Sequence, residues 1–202
     1  MAKNRENRPL PKSHDDTRRS GVLPADFYDR PSLVVARSLL GHYLVRETHK
    51  GLLAGRIIEV EAYVGPRDRA CHASKGRTRR TEVMFGPPGR AYVYLIYGMY
   101  HCLNVVTERL DYPAAVLIRA VEHESRLIDG PGRLCRFFDI DRSLNCHDLT
   151  NGHALWIEDR GERISRRHIK AFPRIGVGYA GPWAAKPWRF RFQADPRIPS
   201  NK

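Results

Sequence analysis

The sequence predicts a strand-rich α+β fold in one mixed domain, and three observations carry that reading. Short runs rich in Val, Ile, Leu and Tyr recur along the chain, bounded by Gly or Pro, as strands are. Helical spacing is confined to two short stretches. No internal repeat or linker divides the 202 residues, which are enough to bury a substantial core.

The elements follow in order. Residues 1–21 are polar, of mixed charge and Pro-containing, and read as a disordered tail. Residues 196–202 are expected to be a flexible end, leaving 22–195 as the domain. Asp29 is expected to cap a helix with Pro31 in its first turn, an apolar face of Leu33, Val34, Ala36, Leu39 and Leu40, and Gly41 as its stop. The stretch LLAGRIIEVEAYVG reads as a strand ending at Gly65-Pro66, and a basic loop from Arg67 to Arg90 follows it. Residues 92–106, YVYLIYGMYHCLNVV, read as a hairpin with Gly98 in a two-residue turn. PAAVLIRAVE is another strand, DGPGRLCRFFDI a loop feeding a short helix, and HALWIEDR and FPRIGVGY (172–179) are further strands.

Charge is the unusual property of the composition. Lys and Arg number 35 against 22 Asp and Glu, a net charge of +13, while the 42% hydrophobic content is ordinary. The excess favours a polyanionic partner, nucleic acid first and an anionic membrane surface second, since no basic amphipathic helix stands out. No 18-residue apolar run is present, and the N-terminus lacks the hydrophobic stretch of a secretory signal. Cys71, Cys102, Cys135 and Cys146 have no CxxC spacing and are expected to be reduced thiols, which points to a cytoplasm. The doublets Cys71-His72 and His101-Cys102 fit no standard zinc spacing.

Candidate chemistry lies in a few side chains. On the strand RIIEVEAYV, alternation gives Ile58, Val60, Ala62 and Val64 one apolar face and puts Ile57, Glu59, Glu61 and Tyr63 on the other. That second face is either solvated or the wall of a cleft, where Glu59 or Glu61 could act as a general base. Arg119 interrupts an apolar strand, so it either points to water from an edge or meets an anion such as these carboxylates. The bases of the 67–90 loop suit phosphate contacts if a cleft adjoins them. At the hairpin tip Tyr97, Met99 and Tyr100 stand where a solvated turn has Asn, Asp or Ser. They either fold back into the core or form an apolar wedge of the kind that unstacks a duplex.

RIIEVEAYVGPRDRACH, AYVYLIYGMYHCLNVV, AAVLIRAVE, GPGRLC and RIGVGYAGPWAAKPWRF together resemble the alkyladenine (3-methyladenine) DNA glycosylase family, in order from about Val22 to Gln193. The resemblance implies a curved antiparallel sheet with peripheral helices and a protruding hairpin that enters DNA. It implies a monofunctional base-excision repair enzyme that acts on damaged purines in double-stranded DNA as a monomer without cofactor, in a bacterial cytoplasm or nucleoid. Glu61 matches the family's general base, and Arg119 and the Ile175 carbonyl match the groups that hold the catalytic water. Tyr63, His72 and Tyr94 match the pocket around the flipped base, and Asn104 matches the residue that disfavours guanine. Tyr97 matches the intercalating residue, with Met99 and Tyr100 close by, and Arg77 matches a phosphate contact. Cys71 stands where the family pattern has a small residue, and His101 where an aromatic is common. Both border the expected DNA face.

Two rivals use the same residues. A noncatalytic basic module would explain the charge and aromatics but leave Glu59, Glu61 and Arg119 idle. A glycoside hydrolase could use Glu59 and Glu61 as its carboxylate pair, but the basic surface would then have no role.

Overall fold

The computed structural model describes residues 21–193. Apart from Gly21, the expected N-terminal tail lies outside them, as does the segment 196–202. Among the described residues nine strands form one curved, unclosed antiparallel sheet. They are β1 Tyr43–Thr48, β2 Gly51–Tyr63, β3 Ala91–Ile96, β4 Tyr100–Thr107, β5 Ala114–His123, β6 Arg126–Asp129, β7 Leu155–Glu158, β8 Ile169–Phe172 and β9 Arg189–Phe192. The order is β3-β4-β5-β2-β1-β7, with β6 beside β5 and β9 between β2 and β8. Three short α-helices among the described residues, α1 Ala25–Tyr28, α2 Ser32–Leu39 and α3 Pro131–Phe137, pack at its periphery. The result is a strand-rich α+β domain, as the sequence predicts. Among the described residues no helix is long and apolar enough to cross a membrane.

The long strand β2 organises the sheet. One edge pairs with β5, while the other pairs first with β1 and then with β9, so β2 changes partner part-way along. The register with β5 shifts twice there, leaving Ile58 unpaired on β2 and Arg119 unpaired on β5. Each extra residue reverses the alternation of its strand, which bulges commonly do beside functional sites. The strict alternation expected across Ile57–Val64 therefore fails at Ile58. Ile57 joins Val60 and Ala62 in the main core instead of sharing a face with Glu59. Gly55 is needed on that same side, because a Cβ there would stand 2.9 Å from Val121 and 3.1 Å from Phe138.

Beyond the bulges alternation sorts the two faces. Val60 and Ala62, Val93, Leu103 and Val105, and Val116 and Ile118 face a core closed by Tyr28, Val35, Leu39, Leu134 and Phe138 from the helices and their flanks. Fully burying each of the Val, Leu, Ile and Phe side chains stabilises the fold by about 1.5–3 kcal/mol. The other face of β2-β5-β4-β3 is covered by the Arg67–Arg90 loop. Cys71, Ala73, Val83 and Met84 of this loop pack on Tyr92, Val106 and Ala115.

Asp29 ends α1 and does not cap α2; Pro31 occupies the N-cap position. The free N–H of Ser32 is met by a distant carboxylate, Glu108 Oε1, at 3.1 Å, which also accepts from Ser32 Oγ at 2.8 Å. Val35, not Val34, is buried, because the helix presents Ser32, Val35, Ala36 and Leu39 to the core.

The hairpin connection is longer than two residues: Ile96 pairs with Tyr100, leaving Tyr97, Gly98 and Met99 between. Tyr97 (φ 53°) and Gly98 (φ 69°) both take left-handed backbone, and Met99 N–H donates to Ile96 O at 3.2 Å. Glycine adopts that conformation freely, whereas tyrosine does so under strain.

Residues 172–179 are not a strand. β8 ends at Phe172, the chain passes through Gly176 at φ 75°, and a 3-10 turn runs over Gly178–Trp183. Pro173 has no N–H to give a ladder, and the Ile175 N–H goes to a side chain, Glu61, and not to a neighbouring strand.

Candidate active site

Strand pairing builds the site floor. Glu61 pairs with Leu117, Leu117 with Asn104, and Asn104 with Tyr92, so one row crosses β2, β5, β4 and β3. Neighbouring strands lie about 4.8 Å apart and alternation points all four side chains the same way. Tyr63, Tyr94, Cys102 and Arg119 stand beside that row on the same face. Ala70, Cys71, His72, Arg80 and Met84 close over it from the loop, and Ile175–Val177 and Tyr179 form the remaining rim. The cavity is about 400 Å³, within the usual range for a small-molecule pocket.

Glu61 lies at the bottom with no solvent exposure. Its Oε1 accepts from the Ile175 backbone N–H at 2.8 Å and faces Arg119 Nη1 at 3.3 Å, while Oε2 accepts from Tyr63 Oη at 2.9 Å. Burial pushes the carboxyl above its ordinary pKa, and Arg119, the Ile175 N–H and the Tyr63 hydroxyl oppose that rise. The alternatives open to Glu59 and Glu61 are thus separated by surroundings. Glu59 does not line this cavity and is occupied by three guanidinium groups: Arg119 Nε at 3.0 Å, Arg189 Nη1 at 3.3 Å and Arg191 Nη1 at 2.7 Å. Arg119 points inward and bridges the two glutamates.

The aromatic wall is built from Tyr63, His72, Tyr92 and Tyr94. His72 Nδ1 is 2.9 Å from Tyr92 Oη, and its ring meets that of Tyr94 edge-on at 4.7 Å. Burial, and then the Arg80 charge, push the imidazole down to about 4, so it is neutral at pH 7. Asn104 is buried with its Nδ2 donating to Tyr92 O at 3.1 Å. Burial raises the Cys71 thiol to about 11, which keeps it protonated and unreactive.

Eight of the eleven residues singled out from the sequence line this cavity: Glu61, Arg119, Ile175, Tyr63, His72, Tyr94, Asn104 and Tyr97. Tyr97 is 81% exposed at the hairpin tip. Met99 and Tyr100 line a separate groove beside α3, Met99 at 64% exposure. Arg77 stands apart, tied to Glu82 at 2.7 Å and Asp111 at 2.6 Å.

Sequence reasoning missed Tyr92, Leu117 and Tyr179, and read Arg80 only as one of the loop bases suited to phosphate contacts. Tyr92 and Leu117 follow from period two, being two residues from Tyr94 and Arg119. The other two come from segments of irregular backbone, where no period applies.

A buried carboxylate held by donors stands at the floor of an aromatic cavity, beside an exposed apolar tip on a basic protein, an arrangement with the shape to hold a planar group against a charged oxygen. Residues 26–196 match the family model for methylpurine-DNA glycosylase. A protein from Methanocella arvoryzae is 53% identical over 195 residues, covering 88% of this chain and 95% of the relative. One from Myxococcus xanthus is 53% identical over 172 residues, covering 83% and 88%. One from Legionella pneumophila strain Corby is 50% identical over 181 residues, covering 87% and 97%. All three carry the provisional name 3-methyladenine DNA glycosylase. The chain belongs to the methylpurine-DNA glycosylase family: it is a DNA glycosylase, a hydrolase of N-glycosyl bonds that works in DNA repair on a DNA substrate.

Proposed function

We propose that the protein flips alkylated or deaminated purines, of the 3-methyladenine, 7-methylguanine, hypoxanthine and ethenoadenine class, out of duplex DNA. It hydrolyses the N-glycosidic bond with a water activated by Glu61 and leaves an abasic site, acting as a monomer. The observation that carries this reading is the placement of Glu61. Its buried carboxylate is fixed by Arg119, the Ile175 N–H and Tyr63 at the end of a cavity lined by aromatic faces.

As the base departs, the sugar develops oxocarbenium character, which an ionised Glu61 stabilises while it orients the water. Arg119 and the Ile175 carbonyl help to hold that water. Tyr63, His72 and Tyr94 sandwich the extruded base, and Asn104 opposes the exocyclic amine of guanine. Tyr97 fills the gap left in the stack, and Met99 and Tyr100 support the hairpin as it enters DNA. Arg77 takes a phosphate, which requires it to exchange a carboxylate partner for the DNA backbone. The glycosylase domain spans 22–195. No lysine lines the cavity among the described residues, which favours direct hydrolysis over a Schiff-base lyase step.

The test compares wild type with Glu61→Gln on duplexes carrying hypoxanthine, ethenoadenine or no lesion, read after alkali cleaves abasic sites. Lesion-dependent cleavage lost in the variant, with duplex binding kept, is the expected result. Wild-type protein that binds but yields no abasic site, on methylated DNA as well, would overturn the reading in favour of a binding module.

A further inference from the structure

The segment that supplies the Ile175 N–H to Glu61 is outside the sheet, between the end of β8 at Phe172 and the 3-10 turn at Gly178. Something else must hold it against β2, and the neighbouring residue does. Arg174 Nη1 donates to Asp68 Oδ2 at 2.5 Å and to Ala62 O at 2.9 Å, while Nη2 donates to Asp68 Oδ1 at 2.8 Å and Trp183 O at 3.3 Å. Both side chains of this ion pair are closed to solvent. The guanidinium stacks on the Tyr63 ring at 4.8 Å and the Trp188 ring at 5.0 Å. Asp68 in turn accepts from the backbone N–H groups of Val64 and Ala70 at 3.3 and 3.1 Å, fixing the turn after β2.

A buried ion pair is weak support for stability, since apolar residues of similar volume often serve as well. This one touches both the segment bearing the Ile175 N–H and the ring whose hydroxyl binds Glu61. We infer that Asp68 and Arg174 are positioning residues for the glycosylase reaction, a brace that holds Ile175 and Tyr63 at the two oxygens of Glu61. The inference rests on Glu61 being the general base.

The test uses the full chain and single-turnover release of hypoxanthine from a duplex. The Asp68→Leu/Arg174→Met double variant removes both charges together, so neither is left buried alone. Arg174→Lys keeps the charge and loses the fork, and serves if the double variant does not fold. The expected result is a rate at least tenfold lower at saturating protein, with unchanged duplex affinity. In the double variant, which loses the Arg174 charge, the acid limb of the pH profile should also move to higher pH, because that charge helps to keep Glu61 ionised; Arg174→Lys is read by its rate alone. Wild-type rate and an unmoved acid limb in a folded variant would overturn the brace while leaving the proposed function intact. A wild-type protein that releases no base would overturn that function itself.

Discussion

Glu61 Oε1 takes a hydrogen bond at 2.8 Å from the backbone N–H of Ile175, a residue 114 positions further along the chain. Two segments that share no strand pairing thus meet at the group proposed to activate water.

Burial is the largest influence on Glu61 and raises its pKa above 4.5; Arg119, the Ile175 N–H and Tyr63 only partly counter it. Only the ionised form can serve as base, so the rate should fall with pH through a midpoint above the ordinary carboxylate value. An alkylated purine is the substrate of choice, because its cationic base leaves without needing a proton. A rate that stays flat as pH falls through the carboxylate range, after subtraction of spontaneous loss, would show that no carboxylate acts as the base, and a limb unchanged in Glu61→Asp would show that Glu61 is not the titrating group.

Glu59 is the counter-ion that keeps Arg119 in place. Glu59→Gln leaves Arg119 with one carboxylate in place of two and the Arg189 and Arg191 charges without their buried partner. Stability should drop by about 3 kcal/mol, read from the denaturant midpoint, and the rate of base release should drop with it. A variant as stable as wild type would mean that the cluster is hydrated and contributes little.

Tyr97 holds an exposed aromatic ring on left-handed backbone, which costs about 1 kcal/mol compared with glycine. Tyr97→Gly should therefore melt at the same temperature or higher while releasing the lesion base far more slowly. Loss of stability in this variant would place the ring in the fold and not in the DNA.

His72 has a folded pKa of about 4 against 6.5 in an unfolded chain, first through burial and then through Arg80. Below pH 6.5 the unfolded chain binds a proton that the folded chain refuses, so this contribution is complete above 6.5 and is lost as pH falls towards 4. His72→Gln keeps a partner for Tyr92 but does not titrate. Between those pH values it should lose about 2 kcal/mol less stability than wild type, allowing for partial exposure of the ring. Parallel stability curves for the two proteins would rule the effect out.

The strands from Leu52 to Val64, Tyr92 to Val106 and Ala114 to Glu122 were legible because β-branched and aromatic residues with turn-forming ends mark strands locally. The family motifs also singled out eight residues that prove to share one cavity, six of them within these stretches and two, His72 and Ile175, outside them. Residues 172–179 were misread because Gly at alternate positions between apolar residues imitates a strand, and nothing local shows that Ile175 gives its N–H to Glu61. Asp68 likewise looked like one acid among the bases of a loop. Its partner Arg174 lies 106 residues away, a distance at which no spacing rule operates.

By itself the sequence determined the strand-rich class, the basic surface, the apolar hairpin tip and which side chains could carry chemistry. These depend on side-chain character and short-range geometry, which each segment carries with it. Tertiary structure alone decided that Ile58 and Arg119 bulge, that Glu59 is neutralised by three arginines while Glu61 faces the cavity, and that Arg174 braces the loop beside it. Those outcomes depend on which distant charges and amides are brought within a few ångströms in a dry interior, where electrostatic and hydrogen-bonding energies are large and highly sensitive to position.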